Sequence, residues 1–99
     1  MVKHIVQFKF RADVSQHERE KAAAQFKKDI EALPQTIHCI REIEVGININ
    51  PKETWHVCLV SVFDNLQDVA TYSQHPNHQA VARALMQHVE QRACVDYEV

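Results

Sequence analysis

The sequence predicts an α+β fold: a four-stranded antiparallel sheet with helices packed on one side. Two periodicities carry this expectation. Apolar residues recur at every second position near both ends of the chain and in its middle, and at three- to four-residue spacing between those stretches. A third observation bears on assembly: residues 55–63, WHVCLVSVF, are apolar on both faces.

Each element follows from its residues. In residues 2–10, VKHIVQFKF, His4, Val6, Phe8 and Phe10 alternate with Lys3, Ile5, Gln7 and Lys9, which is a strand. Ser15 with Glu18 three residues on is a capping box, so a helix starts near residue 16. Ala22, Phe26, Ile30 and Leu33 form its apolar stripe, and Pro34 closes it. Residues 38–49 alternate again, with Ile43, Val45, Ile47 and Ile49 on one face, and NPKET supplies a turn. In the strand at 55–63, Trp55, Val57, Leu59 and Phe63 point one way, and Cys58, Val60 and Val62 the other. Asp64 or Asn65 can cap a helix over LQDVATYSQ. Pro76 suits the first turn of a further helix ending near Gln91, with Val81, Leu85 and Val89 on its buried side. Residues 93–99 make a last strand, with Val95 and Tyr97 on one face.

The order β-α-β-β-α(α)-β is the split βαβ pattern of the ferredoxin-like fold, with spatial strand order 4-1-3-2. At 99 residues the chain has the length of one domain, 1–99. Helices on one side leave one face of the strand at 55–63 bare. Exposing Trp55, Val57, Leu59 and Phe63 would create a patch too large for a monomer, so a two-fold homodimer with sheets face to face is expected.

Composition narrows the partners. A net charge of −2 gives no electrostatic basis for binding nucleic acid or an anionic membrane, and neither partner is expected. No apolar run approaches the roughly 20 residues of a membrane span. Cys39, Cys58 and Cys94 are scattered without a CxxC pair, which reads as reduced thiols in a cytoplasmic protein.

The chemistry centres on TYSQHPNHQAV, residues 71–81, which sets Tyr72, His75 and His78 around Pro76. The first and third strands are expected side by side and parallel, with His4 and His56 neighbouring at one end of the sheet. The helix after the third strand then brings Tyr72 and His78 down over them. A neutral His accepts a proton near pH 7, and a Tyr hydroxyl polarises a carbonyl oxygen. Proton transfer alpha to the carbonyl of a small apolar molecule is the reaction these groups suit best. Nucleophile motifs and Gly-rich phosphate loops are absent. Three His could hold a transition metal, but no HxxxH pair lies on one helix, and neither metal nor cofactor is expected. Each ring also has a purely structural reading: His4 and His56 as packed, hydrogen-bonded core residues, Tyr72 as a partner for a helix-end carbonyl, His75 as a helix cap.

The opening MVKHIVQFKF, the REIEVGINI strand, the HPNHQAV turn and the closing VDYEV together resemble the stress-responsive A/B barrel (Dabb) family, over essentially the whole chain. The resemblance implies a dimeric α+β barrel of two ferredoxin-like subunits. It also implies, by similarity to a plant polyketide cyclase of that family, an intramolecular aldol chemistry. His78 would then be the general base, Tyr72 would orient the carbonyl oxygen, and His4 and His56 would shape the ligand pocket. The alternative within the family is a non-enzymatic, stress-associated protein whose rings only satisfy hydrogen bonds. Family membership fixes fold better than reaction.

Overall fold

The computed structural model describes residues 1–99. Its elements are β1 (Val2–Phe10), α1 (Gln16–Glu31), a 3-10 turn (Leu33–Gln35), β2 (Glu42–Ile47), β3 (Val57–Phe63), α2 (Leu66–Gln74), α3 (Pro76–Met86) and β4 (Val89–Glu98). The sheet order is β2-β3-β1-β4, the expected 4-1-3-2 read from the other edge.

Local chemistry starts each helix. Ser15 Oγ accepts from the Glu18 N–H, Asn65 Oδ1 from the Asp68 N–H, and His75 Nδ1 from the Asn77 N–H. These side chains satisfy amides that have no partner within the helix. Pro76 follows His75 at the first turn of α3, where its missing N–H costs nothing.

Several boundaries differ from expectation, among them the start of β3 at Val57 rather than Trp55 and the start of β4 at Val89 rather than residue 93. β2 begins at Glu42 rather than near His38, because Ile37 and Ile40 leave the strand path and bury themselves in the core. Ile49, expected on the apolar face of β2, lies beyond its end and is 95% exposed. α3 stops at Met86, not near Gln91. The Arg11 N–H takes the His88 carbonyl and Val89 pairs with Phe10, so sheet pairing overrides the helical spacing of Val89.

The strand directions correct a larger expectation. β1 and β3 run antiparallel, not parallel, with His4 opposite Ser61, Val6 opposite Leu59 and Phe8 opposite Val57. A split βαβ unit makes β1 and β2 parallel through the helix, and the β2–β3 connection then folds β3 back between them. The start of β3 therefore lies beside the end of β1. Opposed residues share a face, so Val57, Leu59 and Phe63 face the helices with His4, Val6, Phe8 and Phe10. All of these are buried.

β3 is apolar on both faces as expected, but the face turned to the helices and the face left bare are exchanged. The bare face carries Ile5, Cys58, Val60 and Val62, joined by Val95 and Tyr97 of β4, which are 59% and 43% exposed. On the covered face, Phe26, Ile30, Val69, Tyr72 and Leu85 from the helices complete the core. Glu31 and Lys27 fasten α1 to β2: the Val45 N–H donates to Glu31 Oε2 at 3.0 Å, and Lys27 Nζ donates to the Val45 carbonyl at 2.7 Å. No helix is long and apolar enough to cross a membrane.

Candidate active site

Tyr72 descends from the last turn of α2 onto the end of the sheet where β1 starts and β3 ends. Its ring packs 5.1 Å from Phe63, 6.1 Å from His4 and 4.3 Å from His78, centroid to centroid. The ring is wholly buried, and its hydroxyl finds no hydrogen-bond partner among the protein's atoms. That orphan is costly, because a buried unsatisfied hydroxyl forfeits about 1–3 kcal/mol. Burial raises the Tyr72 pKa well above the usual phenol range, so the group stays protonated and remains a donor.

His78, in the first turns of α3, is fixed by its Nδ1, which lies 3.0 Å from the Ser73 carbonyl. A carbonyl can only accept, so Nδ1 carries the proton and Nε2 holds the free lone pair. Burial lowers the pKa of this ring. The bond to Ser73 opposes that shift, and His4, Arg92 and His75 add to it. The imidazole is therefore neutral at pH 7, with one nitrogen able to take a proton.

His4 is 5% exposed, and its Nδ1 lies 2.5 Å from Asp96 Oδ1. The carboxylate accepts, which sets the protonated nitrogen of His4 and the orientation of its ring. The Cys94 thiol lies 3.6 Å from the same nitrogen. His4, Cys94 and Asp96 offer three ligand atoms within 4.8 Å of one another. That set matches zinc-type ligands in kind, yet the His4–Asp96 contact is already complete as a hydrogen bond.

Between helices and sheet lies a cavity of about 130 Å³. Val6, Phe8, Phe26, Leu59 and Ala82 supply apolar wall, and His4, Ser73 and His78 supply polar groups. Met86 and Arg92 are the exposed residues of its wall, so its mouth lies between the end of α3 and β4. No helix covers β4, and residues 90–98 are exposed.

The structure thus brings together three of the four expected residues: His4, Tyr72 and His78. His56 is not among them. The antiparallel register puts it at the opposite end of β1, where its N–H donates to the Phe8 carbonyl and its Nδ1 accepts from the Phe10 N–H at 3.0 Å. Its ring packs 5.3 Å from Phe10, and Nε2 sits 3.2 Å from the Arg19 guanidinium. Burial, then Arg19 and Lys9, lowers its pKa. These contacts fasten the β3 start to β1 and α1, away from the cavity. His75 caps α3 and does not line the cavity.

Three neighbours went unread in the sequence: Arg92, Cys94 and Asp96. The pattern of β4 drew attention to Val95 and Tyr97, which face away from the helices. Arg92, Cys94 and Asp96 alternate with them and share the face of His4, since Asp96 is opposite His4 and Arg92 opposite Phe8. Extending that strand back to Val89 and pairing it antiparallel with β1 would have exposed them.

The family model for the stress responsive A/B barrel domain matches residues 2–99. Among solved structures, a dimeric protein of unknown function with a ferredoxin-like fold from Bacteroides fragilis is 54% identical, with a TM-score of 0.97. The alignment covers 99% of this chain and 95% of that one. A Dabb family protein from Mesorhizobium loti is 23% identical, with a TM-score of 0.74, over 99% of this chain and 95% of that one. The hydroxynitrile lyase of Passiflora edulis is 19% identical, with a TM-score of 0.70, over 97% and 90% of the two chains. At those lower identities the likeness is one of fold alone. No curated protein matches the chain. On the strength of a match from its second residue to its last, the chain belongs to the stress-responsive A/B barrel domain family.

Proposed function

We propose that the chain works as a homodimer, joined through its bare sheet face. Each protomer would hold a small-molecule pocket between helices and sheet that performs acid–base chemistry on a carbonyl compound, of the cyclase or isomerase type. The observation that carries this reading is the buried, unpartnered hydroxyl of Tyr72, whose ring packs against a neutral His78 that itself lines a cavity. A purely structural cluster would pair that hydroxyl, because leaving it bare costs stability. A site that receives a carbonyl oxygen has reason to keep it.

In this reading His78 Nε2 removes a proton from the carbon next to the carbonyl. The Tyr72 hydroxyl donates to the carbonyl oxygen and stabilises the enolate that results. His78 then returns that proton to carbon, on the opposite face of the same atom or at the far end of a conjugated enolate; alternatively the enolate carbon attacks a second carbonyl, and His78 gives the proton to the alkoxide that forms. A positioned acid or base contributes about 10²–10⁴-fold. His4, held by Asp96, would bind the ligand and fix the polar wall of the cavity. The fold accommodates a lyase, since a hydroxynitrile lyase shares it.

For the dimer, the support is the row of Ile5, Val60, Val62, Val95 and Tyr97 on the uncovered face, together with the dimeric state of the Bacteroides fragilis relative. Two sheets packed through such rows exclude water from both.

Enolisation can be read directly as exchange of α-deuterium from acetophenone and cyclohexanone, followed by NMR. Wild-type protein should accelerate exchange above the buffer rate. His78→Ala should return it to that rate, and Tyr72→Phe should lower it about 10²-fold or more. Exchange at the buffer rate with wild-type protein, or undiminished exchange in His78→Ala, would remove the catalytic reading and leave a non-enzymatic ligand-binding protein.

A further inference from the structure

We propose that Arg92 makes the mouth of the cavity a carboxylate subsite, so that the molecule taken up is a small carbonyl compound bearing one carboxylate. The inference rests on the pocket reading above and adds the class of its ligand.

Arg92 stands on the helix-side face of β4, opposite Phe8, and forms part of the cavity wall with His4 and His78. Other arginines that touch the body of the fold are committed. Arg11 binds Asp13 and the Gln87 carbonyl, Arg19 binds the Val14 and Arg11 carbonyls, and Arg41 grips Asp64 through two nitrogens. Arg92 makes neither an ion pair nor a hydrogen bond to an oxygen. The carboxylates that could neutralise it are engaged elsewhere: Asp96 with His4, and Glu90 with Lys9. Arg83 is likewise unpaired, but it stands on the exposed side of α3 and not on the cavity. What distinguishes Arg92 is its place, at the mouth of an apolar chamber whose wall also carries the His78 imidazole, with the Tyr72 ring packed against that imidazole.

Charge and volume then select the ligand. A guanidinium presents parallel N–H donors that fit a carboxylate in a fork. One free cation balances one negative charge, whereas a phosphate dianion would keep a charge unmatched beside Phe8 and Met86. A cavity of about 150 Å³ takes a benzene ring, so about 130 Å³ takes a six-membered ring or a chain of similar length. The ring or chain lies among Val6, Phe8, Phe26 and Leu59, and the carboxylate stays at the mouth where water partly solvates it. Long acyl chains do not fit this volume.

Benzoate and benzamide are the probes, alike in shape and different in charge. Titration of the intact protein with each, followed by the ring resonances of Tyr72 and His78, gives both affinity and location. Benzoate should bind about tenfold tighter or more, the gain typical of a charge-assisted hydrogen bond. Arg92→Gln should erase that preference while leaving benzamide affinity unchanged, which also shows that the variant is folded. Arg92→Lys should recover part of it. Equal affinity of the wild type for both probes, with His78 shifted, would overturn the carboxylate subsite and leave the pocket standing. A benzoate preference that survives Arg92→Gln would overturn it equally, by placing the anion elsewhere. If neither probe moves the Tyr72 and His78 resonances, the pocket reading falls and the subsite falls with it.

Discussion

Replacing Tyr72 by Phe should make this protein more stable. Tyr72 is wholly buried, packed against Phe63, His4 and His78, and its hydroxyl has no protein partner. The substitution keeps the ring and therefore nearly all of its packing. It removes one buried polar group, whose desolvation without compensation costs about 1–3 kcal/mol. A solvent molecule in the neighbouring cavity could offset part of that cost, so the expected gain is about 1–2 kcal/mol. With a urea m-value of about 2 kcal/mol/M, the middle of the usual range, the unfolding midpoint should rise by roughly 0.5–1 M at fixed protomer concentration. The same variant should lose enolisation activity, so stability and activity move in opposite directions. That opposition is the signature of a group kept for function at the expense of the fold. A loss of 1 kcal/mol or more in Tyr72→Phe would refute the reasoning. It would mean that the hydroxyl is bonded in solution and that Tyr72 is a structural residue.

Other consequences can be checked separately. Val60→Arg, in the centre of the bare face beside Ile5, should convert the dimer to a monomer in light scattering, and a persistent dimer would place the interface elsewhere. Burial lowers the pKa of both His56 and His78, so the unfolded chain binds more protons than the folded one below about pH 6.5. Stability should therefore fall as pH drops from 7 to 5, and His56→Gln should flatten that slope; a pH-independent urea midpoint across this range would contradict it. Glu31 and Asp64, whose pKa values are lowered by Lys27 and Arg41, respond only at lower pH and do not confound this window. Ser15→Ala removes the side-chain acceptor of the Glu18 N–H and should cost about 1 kcal/mol by urea unfolding.

The sequence by itself determined the α+β class, the order of the elements and the order of the strands, because these follow from local periodicity and capping. Alternation in residues 2–10, the Ser15 cap and Pro76 each act within a few residues of themselves, and each appears where expected. It also singled out Tyr72 and His78, which are close in the chain and one helical start apart. The tertiary structure alone decided what lies across the sheet. The direction and register of β1 against its neighbours join residues 49–96 positions apart, and no local pattern encodes them. The antiparallel run of β3 sent His56 to the far end of β1, turned Val57, Leu59 and Phe63 toward the helices, and left Ile5, Val60 and Val95 bare. The same register carried Asp96 to His4 and Arg92 to Phe8. A one-residue shift in pairing moves every side chain to the other face, which is why the polar half of the site stayed hidden in a strand recognisable only by its Val and Tyr.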